Sequence, residues 1–302
     1  MTPSDTPLAS PAPELGTHVA DRLLDATERV GAPICVGLDP VFDRLPDAVR
    51  ATHRDPVAAI EAFTVGVIDA AAEAAPCVKF QSACYERHGA PGVAALGRGM
   101  AHAAERGVIV ILDAKRGDIG ISAEHYAEAA FGAGSVDWVT VSPYLGDDGL
   151  APFIRDRARG AFALVRTSNP GGDALQTLRL DDGRTLSEAV ADMVDRLGRG
   201  AVGTRGYSNL GAVVGATKPQ DAARLRERLP HAIFLVPGFG AQGGSADDIR
   251  GCFHDDGHGA LITASRSVIY AGSDRTDWIT AVRDAARRLR DEVAAVVHAR
   301  AD

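Results

Sequence analysis

The sequence predicts a single-domain (β/α)8 TIM barrel of the α/β class, and three observations point there. Eight short β-branched runs punctuate the chain, each ending in a polar or glycine-rich cluster. Ala-rich, helix-periodic stretches separate most of them over roughly 250 residues, the usual span of such a barrel. The runs are near-continuously apolar, as strands of a parallel sheet buried on both faces must be. The alternative is an open doubly wound sheet, which usually shows a G-x-G-x-x-G turn after its first strand; this chain has GLDP there.

Taken in order, residues 1–14 are rich in Pro, Ser and Thr and are expected to form a disordered tail, with the barrel domain over 15–302. The first run, PICVGLD (33–39), delivers Asp39, and the second, CVKF (77–80), delivers Lys79. The third, VIVILDAK (108–115), is the most apolar and ends on Asp113 and Lys115. WVTVSPY (138–144) and AFALVRTS (161–168) follow, the latter ending on Ser168. The interval at about 169–210 is longer than a crossover helix requires and reads as an insert, with a helix from about Leu186 to Leu197 and a Gly-rich return. GAVVGAT (211–217) ends on Thr217, AIFLVPG (232–238) opens a glycine-rich loop at 238–244, and ALITAS (260–265) delivers Arg266.

Composition narrows the function. A net charge of -8 argues against a nucleic-acid-binding surface, because such affinity rests on clustered Lys and Arg; an anionic ligand must be small and locally held. The four cysteines, Cys35, Cys77, Cys84 and Cys252, show no C-x-x-C spacing and read as buried thiols of a reducing compartment. The start of the chain has no basic and apolar leader pattern, and nowhere do about 18 uncharged apolar residues follow one another. A soluble, cytoplasmic protein without membrane contact is expected.

Catalytic groups of such barrels sit at the C-terminal ends of the strands. The densest element there is DAKRGD (113–118). In extended backbone Asp113 and Lys115 leave the same face, and Gly117 permits a turn that carries Asp118 out of the strand. A salt-bridged strand end followed by a helix cap would look the same. Lysine usage favours chemistry: of 32 basic residues only Lys79, Lys115 and Lys218 are lysines, and two of them fall at strand ends. An ammonium can give up a proton and regain it, which a guanidinium cannot. The 238–244 loop and Arg266, following the seventh and eighth runs, sit where barrels frequently hold a phosphate. His254 and His258 have metal-ligand spacing but lie between the last two runs, away from the strand C-termini, so no metal is expected. Trp138 and Trp278 read as core, Asp147 and Asp148 as a solvated loop or helix cap, and the remaining arginines as surface charge.

From GLDP to ASRSVIYAG the order of these elements resembles the orotidine 5'-phosphate decarboxylase family, whose D-x-K-x-x-D motif appears as Asp113, Lys115 and Asp118. The segments DAKRGDI, VRTSNPG, VVGAT and VPGFGAQGG look like its bacterial subfamily with a longer insert after the fifth strand. The resemblance implies decarboxylation of orotidine monophosphate to uridine monophosphate, the last step of de novo pyrimidine synthesis, with no cofactor. It implies an alternating array of Lys79, Asp113, Lys115 and Asp118, in a homodimer where Asp118, Ile119 and Ser122 cross into the partner's site. Many members carry Thr where this chain has Ser122. It further implies that Asp39 and Lys79 bind ribose hydroxyls, that Ser168 hydrogen-bonds the pyrimidine, that Gln242 and Arg266 hold the phosphate, and that Asn169 is a further substrate-binding residue.

Two rivals share the barrel. A metal-dependent 3-keto-L-gulonate 6-phosphate decarboxylase or hexulose-phosphate synthase needs a further acidic ligand near the second or third strand end, where only the remote Glu86 is available. A silent nucleotide-binding barrel would have no reason to place two lysines among carboxylates.

Overall fold

All eight apolar runs are strands. The computed structural model describes residues 17–132, 135–240 and 244–301, so the expected tail at 1–14 and Gln242 lie outside the described residues. The strands are β1 (Ile34–Leu38), β2 (Cys77–Gln81), β3 (Ile109–Arg116), β4 (Trp138–Val141), β5 (Gly160–Arg166), β6 (Leu210–Val214), β7 (Phe234–Pro237) and β8 (Ala260–Ala264). They pair in parallel in sequence order and close into a barrel through β8 and β1.

Helix α1 (Val19–Val30) precedes β1. Helices α2 (Asp47–Thr52) and α3 (Pro56–Ala71) follow β1, α4 (Ser82–Glu86) and α5 (Gly89–Glu105) follow β2, and α6 (Gly120–Phe131) follows β3. Helices α7 (Asp173–Gln176) and α8 (Leu186–Gly198) lie between β5 and β6, and α9 (Pro219–Arg228) after β6. Helix α10 (Ala246–Arg250) follows β7, while α11 (Arg266–Ile269) and α12 (Trp278–Ala301) follow β8. None of the described helices is long and apolar enough to cross a membrane.

The period of two along each strand divides the core in two. Ile34, Val36, Val78, Phe80, Val110 and Val139 face outward into the layer beneath the helices. Cys35, Cys77, Ile109, Ile111, Trp138, Phe162, Val213 and Leu261 fill the bore, where Trp138 stacks on Phe162 at 4.5 Å between centroids. One inward step beyond Cys77, Ile111 and Trp138 stand Lys79, Asp113 and Thr140, so strand alternation sets a polar layer directly above an apolar floor.

The floor has its own lid, which the sequence reading did not single out. Val19, Ala20, Leu23 and Leu24 of α1 join the bore cluster and close the N-terminal end. Asp21, buried there, accepts hydrogen bonds from the Thr204 N–H (2.9 Å), the Thr204 hydroxyl (2.7 Å) and the Arg205 N–H (2.9 Å). Among the described residues, that leaves the C-terminal mouth as the open end of the bore.

One connection lacks the helix that most of the others have, and one expectation needs correction. Between β4 and β5 there is no α-helix but two 3-10 turns, Pro143–Leu145 and Ala151–Ile154; Pro143, Gly146, Gly149 and Pro152 make that segment unfit for α-helix. The arginines outside the site are not all surface charge. Arg226 is buried, donates to the carbonyls of Gly259 (2.9 Å), Ala232 (2.7 Å) and Leu229, and lies over the Phe234 ring. Burial pulls its pKa down to about 10. Arg166 is buried as well and belongs to the mouth.

The helix expected from about Leu186 is α8, started by a capping box between Thr185 and Glu188. Trp138 and Trp278 are core, as expected. Cys35, Cys77 and Cys252 are buried, whereas Cys84 is half-buried in α4; all four are free thiols. His258 lies 3.4 Å from Glu28 of α1, at the end away from the mouth.

Candidate active site

The strand ends bring Asp39, Lys79, Asp113, Lys115, Ser168 and Asn169 to one cavity of about 240 Å³. Gln81, Thr140, Leu164, Thr167, Val213, Leu235 and Pro237 complete its wall.

Asp113 is the hub. Its Oδ2 accepts from Lys79 Nζ (2.7 Å) and Gln81 Nε2 (3.3 Å), and its Oδ1 accepts from Lys115 Nζ (2.6 Å) and the Thr140 hydroxyl (2.8 Å). Burial opposes ionisation of this carboxyl, but the two ammoniums beside it prevail and hold its pKa well below the ordinary carboxylate range. Lys79 is 6 % exposed, and burial works against its charge; Asp113, then Asp39 with Oδ1 at 3.8 Å, outweigh that and push its pKa above the usual lysine value. Lys79 is therefore a buried, paired cation and not a side chain reaching for solvent. The Lys115 side chain is 47 % exposed, and this is the cation a ligand would meet.

The backbone under Lys115 departs from the extended premise. The β3–β4 register shifts between Leu112 and Arg116, and Lys115 has φ 48°, the only positive φ among described residues other than glycine. Its N–H donates to the Thr140 hydroxyl at 2.9 Å, so Thr140 holds both the kinked backbone and the hub carboxylate. A bulge of this kind re-aims a side chain at a strand end, and such strain persists where surrounding contacts over-determine it. Lys115 and Asp113 do meet, but through the kink and not through alternation alone.

Asp39 is held by its backbone: the Tyr270 hydroxyl donates to its carbonyl at 3.1 Å and accepts from the Val41 N–H at 2.8 Å. Ser168 packs on Gly215, where a Cβ would come within 2.8 Å of the Ser168 backbone. Its carbonyl accepts from Thr217 at 3.2 Å.

The remaining expected residues stand elsewhere. Asp118 accepts from the Ile119 N–H at 2.9 Å, and with Ile119 and Ser122 it lies outside this chain's own cavity, at the start of α6. Arg266 begins α11 at the mouth, exposed and beyond the cavity wall. Glu86 pairs with Arg116 at 2.8 Å. Gln81 and Thr140 were missed in the sequence, although both sit two residues after an inward position. Nothing local marked Arg166, which is buried at the mouth against Asp173 and Gln176 of α7.

Comparison with known proteins gives a consistent answer. The model of the orotidine 5'-phosphate decarboxylase / HUMPS family matches residues 32–280. The chain is 43 % identical to the orotidine 5'-phosphate decarboxylase of Rhodopirellula baltica, over 91 % of this chain and 98 % of that one. It is 42 % identical to that of Roseiflexus castenholzii, over 92 % and 98 %. The solved structure of Leishmania donovani OMP decarboxylase superposes with a TM-score of 0.77 at 35 % identity, covering 93 % of this chain and 99 % of that one. By motif, architecture and relatives alike, the chain belongs to the orotidine 5'-phosphate decarboxylase / HUMPS family.

Proposed function

We propose that this mouth converts orotidine 5'-monophosphate to uridine 5'-monophosphate and CO2 by electrostatic stabilisation of a carbanion, with Lys115 as proton donor and no cofactor. The observation that carries the reading is the Lys115 ammonium, half exposed in the cavity and held 2.6 Å from an ionised Asp113. Breaking the bond from C6 to the carboxylate leaves the electron pair on C6, in the plane of the ring, where no adjacent π-system can take it. A fixed cation is the remaining means of stabilisation, and a site that holds one in place avoids reorganisation as charge develops. Lys115 Nζ then gives its proton to C6, CO2 departs, and the neutral amine regains a proton from solvent.

Asp39 and Lys79 would bind the ribose hydroxyls, Ser168 and Asn169 the pyrimidine, and Gln242 with Arg266 the phosphate. Phosphate binding far from C6 provides interaction energy to close the loops over the site. The site works as a homodimer in this reading, with the partner's Asp118, Ile119 and Ser122 completing the array. Support comes from the start of α6, where Ile119 and Ile121 are 55 % and 68 % exposed and Asp118 has no place in its own cavity. The segment between β5 and β6, carrying α7 and α8, supports assignment to the subfamily with the longer insert. Four free thiols fit a cytoplasmic setting.

Following the absorbance of orotidine monophosphate with purified protein tests the reaction. Turnover unaffected by EDTA is expected; loss of activity with chelator would instead favour the metal-dependent members of the family. Mixing Lys115→Ala and Asp118→Ala subunits tests the shared site, because each hybrid dimer would carry one intact site and regain activity that neither variant has alone.

A further inference from the structure

The loop that follows β5 is held by a hydrogen-bond relay that starts in the insert. Gln176, at the end of α7, accepts with Oε1 from the Thr167 N–H (3.0 Å) and from Arg166 Nη1 (3.1 Å). Its Nε2 donates to the Thr167 hydroxyl (2.8 Å), which in turn donates to Asn169 Oδ1 (2.7 Å). Each group thus has a fixed polarity. The amide carbonyl of Asn169 is tied back, which leaves its NH2 group to meet a ligand carbonyl.

The far end of the relay is anchored. Arg166, 2 % exposed, donates through Nε to Asp221 (2.7 Å) and through Nη2 to Asp173 (2.6 Å), and Lys218 also reaches Asp173 (2.9 Å). Asp173 and Gln176 are three apart on α7 and so share a face, and both point to Arg166. Space is equally constrained. A Cβ at Gly172 would lie 2.7 Å from the Thr167 hydroxyl, so the turn that leads into α7 fits against the relay only without a side chain.

We propose that Gln176, anchored by Arg166, is a positioning residue that sets the Asn169 carboxamide, through Thr167, to donate to a carbonyl of the pyrimidine. The inference rests on the decarboxylase reading and adds a residue in the insert that acts on base recognition without touching the base. A relay of this kind discriminates by polarity: a ring presenting a carbonyl is accepted, and a ligand with no ring gains nothing from it.

The test is calorimetric binding of uridine 5'-monophosphate and of ribose 5-phosphate to the full chain carrying Gln176→Ala, Thr167→Val or Thr167→Ser. Gln176→Ala and Thr167→Val are expected to weaken uridine monophosphate about tenfold, or ~1.4 kcal/mol. Ribose 5-phosphate is expected to stay within about twofold, because its contacts lie on the other side of the cavity. Thr167→Ser keeps the hydroxyl and is expected to bind as wild type. In turnover the defect appears in KM, with kcat within about twofold, as for an interaction present equally in ground and transition states.

Equal weakening of both ligands would mean general loosening and overturn the proposal, as would wild-type binding by Thr167→Val or failure of Thr167→Ser to restore it. If Gln176→Ala does not fold, the Thr167 pair decides alone. Wild-type protein that decarboxylates orotidine monophosphate, beside variants with unaltered binding, would overturn the positioning role only. Wild-type protein that neither binds uridine monophosphate nor decarboxylates its precursor would overturn both readings.

Discussion

The barrel mouth holds two charge clusters of opposite design. Around Asp113 one carboxylate serves two lysines, and one of these, Lys115, reaches the cavity from a kinked backbone. Around Arg166 one buried guanidinium serves Asp221, Asp173 and Gln176, and it does not line the cavity. A guanidinium spreads its donors over a rigid plane and keeps its proton, which suits a bracket for the segment between β5 and β6; an ammonium concentrates its charge on one atom that can lose and regain a proton. The same barrel uses each cation for the task its chemistry allows.

Exchanging the cations is the sharpest way to break this comparison. Lys115→Ala is expected to lower kcat/KM by at least about 10⁴-fold, ~5 kcal/mol, while uridine monophosphate binding stays measurable. Lys115→Arg keeps the charge but not the transferable proton, and a loss of about 10³-fold is expected; near-normal turnover by either variant would remove Lys115 as proton donor. Asp113→Asn leaves Lys79 buried with only Asp39 near it and is expected to cost about 3 kcal/mol in urea unfolding. In the other cluster Arg166→Lys cannot reach three partners at once, and a loss of ~2 kcal/mol is expected, with faster hydrogen exchange in α7. Arg266→Ala, outside both clusters, is expected to reduce kcat/KM by more than about tenfold, ~1.4 kcal/mol; a smaller fall would argue against a phosphate contact.

The pH dependence of stability sharpens the first cluster further. Asp113 has a folded pKa below its unfolded value, so its contribution is present above about pH 4 and is lost as pH falls through the lower folded value. Lys79 has a folded pKa above its unfolded value, so its contribution is present below about pH 10 and is lost as pH rises through the higher one. The stability difference between wild type and Asp113→Asn is therefore expected to be flat from about pH 5 to 9 and to shrink in acid. A slope across the neutral range would show that another group controls it.

Much of this was legible beforehand. Eight apolar runs with intervening helices specified the barrel because strands buried on both faces leave a continuous pattern and the closed parallel sheet has few topologies. Lysine scarcity marked Lys79 and Lys115 because both fall at strand ends, where this architecture collects its chemistry. Period-two reasoning would also have found Gln81 and Thr140, which follow Lys79 and Trp138 by two.

What the sequence determined by itself is thus whatever has a short repeat: strands, α8 with its Thr185–Glu188 capping box, and the inward parity that puts charge above the apolar floor. The tertiary structure alone decided the rest. Lys115 meets Asp113 through a bulge set by pairing with β4, α1 seals the barrel from beneath, and Arg166 is buried where α7 and α9 bring Asp173 and Asp221 onto it. Each of these depends on contacts between residues distant in the chain, whose partners are chosen by close packing of the whole barrel and leave no periodic trace in the local sequence.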